Sequence, residues 1–143
     1  MKGMTLIVKT ITRLIFGFII VFSASIILYG HITPGGGFAG GVMLACGFIL
    51  LVLSFGKETA LNIVGEKALS VWDCLGALGF LVIAILGFGG GFFFYNFLIK
   101  GTPLMLISGG TLMWSNIAIG IKVSASLLAV FIAFSIFRME NEK

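Results

Sequence analysis

Apolar, uncharged residues recur along this chain in runs of membrane-crossing length, and the charges and prolines gather mostly between them. The first run extends from Leu14 to about Tyr29. The second goes from about Phe38 to Phe55, where Gly56-Lys57-Glu58 stops it. A last run covers Ser115 to about Phe137 and encloses one charge, Lys122. A hydrocarbon core of roughly 30 Å takes about 20 helical residues to cross. The pattern therefore predicts an all-α integral membrane protein: a single membrane domain, residues 1–143, with four transmembrane helices at about 14–29, 38–55, 68–88 and 115–137.

The third run has two readings. Asp73 to Lys100 encloses 26 uncharged residues, interrupted by Gly87-Phe-Gly-Gly-Gly91. A helix that breaks at those glycines must begin near Ala68 to span, which puts Asp73 inside its first turns; a helix that continues through them makes Asp73 an N-terminal cap. The break is the preferred reading. Phe92 to Trp114, rich in aromatic residues and holding Pro103, is then an apolar loop suited to interfacial anchoring and to a partner surface.

Composition agrees. Hydrophobic residues make up 59% of the 143 residues and charged ones 10%, with a mean hydropathy of +1.22, far from the balance of a soluble domain. Lys2, Lys9 and Arg13 precede the first run, and Ser23-Ala24-Ser25 imitates a signal-cleavage site. The apolar run continues through Ile26-Ile27-Leu28, so the segment is expected to be a retained anchor. Cys46 and Cys74 have no metal-ligand spacing and are expected to be packing residues; no metal or cofactor is expected. The net charge of +4 comes from residues scattered at helix ends, which argues against a nucleic-acid partner. Lys and Arg cluster at the amino terminus, in the 57–67 loop and in the tail, against Lys100 alone opposite. Both termini are thus expected to be cytoplasmic in a cell-membrane protein, with the glycine hairpin and the apolar loop together on the other face.

That hairpin, Gly30-His-Ile-Thr-Pro-Gly-Gly-Gly-Phe-Ala-Gly-Gly41, holds the single histidine. A bilayer cannot satisfy irregular backbone, so Gly30, Pro34, Gly35, Gly36, Gly37, Phe38, Gly40 and Gly41 are expected to pack against other protein. Gly36 with Gly40, and Gly37 with Gly41, form small-residue pairs that accept a neighbouring helix closely. His31 fits two roles, a proton relay or a cap on the carbonyls that end the first helix.

The acids are the informative shortage. Glu58, Glu66, Asp73, Glu140 and Glu142 all fall in the 57–73 stretch or the tail, leaving no carboxylate at mid-membrane. An ion exporter working alone needs such a group. Lys122, inside an apolar run, either snorkels to the interface, pairs with a carboxylate of a neighbouring subunit or belongs to a proton or cation path. Lys122, His31 and Asp73 are the candidate ion-path residues. No nucleophile with a base, paired carboxylates or metal ligands appear, so the chain is not expected to be catalytic by itself.

The run GHITPGGGFAGG resembles the signature of the MnhB-like family, the B-type subunits of Mrp-type multisubunit cation/proton antiporters, G-H-x-x-P-G-G-G-F-x-G-G, at every fixed position. The length, the four crossings and a last segment reading Asn116-Ile-Ala-Ile-Gly-Ile-Lys-Val123 are similar over nearly the whole chain. The resemblance implies a small, non-redox membrane subunit of a Na+/H+ antiporter module, either stand-alone or joined to a nickel-iron hydrogenase or sulfur-reducing unit in archaeal respiratory complexes. Large antiporter-like subunits and the lipid bilayer would be its partners, and Na+ and H+ would pass through the complex. Some members carry an acid near the start of the last helix, where this chain has Gly120 and Lys122. The hairpin and Phe38 are expected to clamp a neighbouring subunit. Two other classes compete: a self-contained homo-oligomeric channel or exporter, which would conduct ions alone, and a purely structural assembly subunit, in which alanine changes affect assembly only.

Overall fold

The computed structural model describes residues 4–56, 65–98, 101, 105 and 108–140. Lys2, Lys57, Lys100 and Lys143, which carry much of the orientation argument, lie outside the described residues, as does Pro103. Four helices form: α1 Leu6–Leu28, α2 Gly37–Phe55, α3 Glu66–Leu86 and α4 Thr111–Glu140, with a 3-10 turn, Gly87–Gly90, after α3. Each has a stretch long and apolar enough to cross a membrane, and the described residues contain no strand. In such surroundings a helix satisfies its own backbone, which is what the apolar runs require.

Two helices start earlier than the uncharged runs. α1 begins at Leu6 and takes in Lys9 and Arg13, whose heads lie 5.8 and 5.2 Å from the centre of the Phe55 ring. Long basic side chains can extend along an apolar surface with the charge toward water, so the first uncharged residue does not mark the helix start. α4 begins at Thr111 rather than Ser115, and its first amide is held by a side chain described below. α3 gives way at Gly87, and the chain turns at Gly91 with φ of 97°. Asp73 therefore sits two turns inside α3 and is not its N-terminal cap, which corrects the alternative reading.

The helices pack in the spatial order α1, α2, α4, α3, with a smaller α1–α4 contact. α2 and α4 run parallel: Gly37 lies against Asn116 and Gly41 against Gly120. α1 is antiparallel to α2, as Gly40 against Ile27 and Thr12 bonded to Ser54 show. α3 is antiparallel to α4. The 30–36 turn and residues 87–98 and 108–110 consequently share one end of the bundle. At the opposite end Val52, Leu69, Ala125, Leu128 and Ile132 form the buried apolar cluster joining α2, α3 and α4. Elsewhere the helices meet mainly through glycine, alanine and serine, and the outer faces are apolar, as at Phe18, Val21, Leu78 and Phe134. Cys46 and Cys74 are free and exposed, so neither thiol packs in the interior as expected; their flanking apolar residues belong to outward as well as inward faces.

Candidate functional site

Lys122 and Ser126 lie one turn apart on α4 and so point to one side of it. Asp73 of α3 faces them. Lys122 Nζ donates to Asp73 Oδ1 at 2.9 Å, and Ser126 Oγ donates to the same oxygen. Gly76, one turn beyond Asp73, lets α4 come this near: a Cβ there would stand 2.8 Å from both Lys122 Cβ and the Lys122 amide nitrogen. Asp73 and Lys122 keep 36% and 45% of their side-chain surface exposed, so the pair sits in the wall of a groove rather than in a core.

Sequence reasoning places these two residues apart and looks for the partner of Lys122 on a neighbouring subunit. The structure supplies it from the same chain, because α3 starts early enough for Asp73 to reach mid-helix level. It also adds Ser126, which sequence reasoning misses. The four-residue spacing from Lys122 is the signal that could have found it.

The groove continues on both sides of the pair. Toward the chain termini lies a cleft of about 530 Å³ lined by Leu69, Ser70, Asp73, Ser126, Ala129 and Ala133 among others. Toward the opposite end lies another of about 430 Å³, lined by Gly76, Ala77, Phe80, Leu81, Lys122 and residues around them. Both are bounded by α3 and α4, with Phe93 and Phe94 closing the far end.

The glycine hairpin is engaged inside the chain. Gly36 takes φ of 91°, a conformation costly for side-chain-bearing residues, and the buried Gly37 then opens α2. The Gly37 amide donates to Asn116 Oδ1 at 3.3 Å. Gly40 abuts Ser23 and Ile27 of α1, and a Cβ on Gly41 would stand 2.8 Å from the Gly120 carbonyl oxygen. Gly30 approaches Asn116 Nδ2 in the same way. Pro34 and Gly35 are exposed, and Phe38 points outward with 66% of its surface free. In the sequence Asn116 enters only as part of the last-helix pattern. An amide inside an apolar run requires hydrogen-bond partners, and that is the signal for it.

His31 does not cap the carbonyls that end α1. That task falls to local backbone, with the amides of Ile32 and Thr33 and the Thr33 hydroxyl donating to the Tyr29 carbonyl. The imidazole lies against Gly109, and its Nε2 is 3.3 Å from the Met105 carbonyl oxygen. A carbonyl only accepts, so Nε2 carries the proton, while the buried Nδ1 has no hydrogen-bond partner among the described residues. Nearby, Asn96 Oδ1 accepts from the Thr111 amide at 3.0 Å, and Asn96 Nδ2 donates to the Gly109 carbonyl at 3.3 Å, fixing the start of α4. His31 stands at this end of the bundle. Lys122 is eleven residues into α4, about 16 Å along its axis at 1.5 Å per residue. The three candidate ion-path residues thus divide into a contacting pair and a distant histidine.

Residues 7–129 match the family model described as a domain related to the MnhB subunit of Na+/H+ antiporter. The chain belongs to the MnhB family. It is 40% identical over 124 residues to an uncharacterised protein of Methanocaldococcus jannaschii, a match covering 82% of this chain and 47% of that protein. It is 33% identical over 91 residues to the B subunit of the Na+/H+ antiporter of Alkalihalophilus pseudofirmus, covering 63% of this chain and 60% of the relative. Among solved structures, a chain of the membrane-bound sulfane sulfur reductase, an archaeal respiratory membrane complex, superposes with a TM-score of 0.78 at 28% identity, covering 91% of this chain and 57% of that one. This MnhB-family chain thus spans about half the length of its two archaeal counterparts.

Proposed function

We propose that this MnhB-family chain is a non-redox membrane subunit of an Mrp-type cation/proton antiporter module, stand-alone or joined to a hydrogenase or sulfur-reducing unit, with large antiporter-like subunits among its neighbours. Both termini would lie in the cytoplasm. The observation that carries this reading is the family match over residues 7–129, and the likeness to a chain of a respiratory membrane complex supports it.

Within such a module the Asp73–Lys122 pair is the element through which the chain takes part in ion movement. The Lys122 ammonium and a passing cation compete for one carboxylate, and Ser126 holds that carboxylate in place when Lys122 swings away. His31, distant from the pair, serves to tie the hairpin to the segment before α4. The test is sodium-driven proton exchange in membrane vesicles containing the whole complex. Asp73→Asn and Lys122→Ala complexes that assemble are expected to exchange at least tenfold more slowly, and His31→Ala to lose complex rather than rate per complex. Normal exchange by both assembled pair variants would remove the pair from the path. Failure of any other membrane subunit to copurify with the wild-type chain would remove the complex itself.

A further inference from the structure

The groove that holds Asp73 and Lys122 has no cover within the described chain. Its walls are α3 and α4; α2 packs on α4 and α1 on α2, and Ile27, Leu44, Phe48, Trp72 and Ile121 line a separate cleft of about 260 Å³ on that side. The open side therefore faces either lipid or another protein.

The polar atoms decide between these. Lys122 has three N–H donors and uses one on Asp73. Asp73 receives both of its hydrogen bonds on Oδ1, and among the described residues Oδ2 receives none. Lipid tails offer neither donors nor acceptors, so ammonium hydrogens and a carboxylate oxygen left facing them are strongly disfavoured.

The shape decides the kind of cover. Lining residues run from Leu69 to Ala84 along α3, about 22 Å at 1.5 Å per residue, most of a bilayer's hydrocarbon thickness. Ser70, Gly76, Ala77, Ala129 and Ala133 are small, which lets a helix backbone settle between α3 and α4. A copy of this chain related by a two-fold axis through the groove would set one concave groove against another and leave the clefts of about 530 and 430 Å³ unfilled.

We infer that the α3–α4 groove seats one transmembrane helix of a different subunit, apolar along most of its length and presenting a neutral amide or hydroxyl side chain level with Asp73 and Lys122. The partner group is neutral because the pair already balances its own charge, and a permanent third charge at this depth would stand uncompensated between cation passages. An amide or hydroxyl both donates to Oδ2 and accepts from Nζ. This inference rests on the complex membership proposed above and adds the face by which the chain is held.

The experiment uses the intact complex in its native membrane. A photoreactive benzoylphenylalanine replaces Phe80 or Leu81, large residues already lining the groove, with Val21 on the outer face of α1 as comparison, and adducts are identified by peptide mapping. Both groove positions are expected to capture the same single helix of one other subunit, and Val21 not to capture it. In parallel, Ala77→Phe, which fills the groove, is expected to cut retention of that subunit at least fivefold while the level of this chain in the membrane stays unchanged. Capture of lipid alone, of a second copy of this chain, or of a helix lacking an amide or hydroxyl at that level overturns the inference, as does full retention in Ala77→Phe. These failures would arise with the other subunits still copurifying, so they are distinct from failure of the complex reading, in which wild-type chain brings down no other subunit.

Discussion

Asp73 and Lys122, 49 positions apart in sequence, meet at 2.9 Å across the seam of α3 and α4, with Ser126 bonded to the same carboxylate oxygen. Neither residue balances its charge alone. In an apolar helix each would be a liability of about 2.5 to 3.5 kcal/mol at the centre of a span; as a pair they are a neutral polar site.

Neutralising one partner should thus harm the protein more than neutralising both. Lys122→Met leaves a carboxylate held only by Ser126, and Asp73→Asn leaves an ammonium without a counter-charge. Each single variant is expected to reach a clearly lower level in the membrane, and Asp73→Asn combined with Lys122→Met to recover most of it. Quantitative immunoblotting of membranes measures this, and a double variant no better than the worse single one would contradict it.

Glycine substitutions should divide by what a methyl group would meet. A Cβ on Gly41 would press on Gly120 backbone and one on Gly76 on the Lys122 and Ala118 backbone, whereas a Cβ on Gly17 has nothing within 4 Å. Gly41→Ala and Gly76→Ala are expected to destabilise by about 1–3 kcal/mol through overpacking. Gly17→Ala is expected to be neutral or to stabilise by up to about 1 kcal/mol through helix propensity. Thermal denaturation in detergent separates the two groups.

Asn96 holds the first turn of α4 from outside the helix, as its side-chain Oδ1 accepts the Thr111 amide. Asn96→Ala leaves that amide without its acceptor and is expected to lower stability by about 0.5–2 kcal/mol. Asn96→Asp keeps the acceptor for Thr111 but sets a carboxylate oxygen against the Gly109 carbonyl in place of the donating Nδ2, so it is expected to restore only part of the loss. Hydrogen exchange at the Thr111 amide is expected to quicken in the alanine variant first.

Between α1 and α2 the hydroxyls of Thr12 and Ser54 are bonded at 2.7 Å, with 3% and 2% of their residue surfaces exposed. Thr12→Val strands the Ser54 hydroxyl at a cost of about 1–3 kcal/mol, and adding Ser54→Ala removes the stranded group. The double variant is expected to be the more stable of the two in the same denaturation measurement.

How much of this was legible beforehand follows from what each feature depends on. Four spans, the turn at Pro34 to Gly36 and the end of α3 at Gly87 could be read from the chain, because a helix in lipid must be apolar over a fixed length and must stop where glycine and proline gather. The helix starts could not be read from charge alone. Lys9 and Arg13 lie within α1 with their heads at Phe55, and Asn96 holds the amide of Thr111 from a distant segment.

The order of residues alone sets the number of crossings and the scarcity of charge within them, since each span must satisfy its own backbone whatever lies beside it. It takes the packed helices to show that α2 and α4 run side by side with Gly41 on Gly120, that His31 reaches the segment before α4, and that Asp73 answers Lys122. A helix apolar on nearly every side carries no polar stripe to reveal which face turns inward, so those pairings become visible only once the helices are packed.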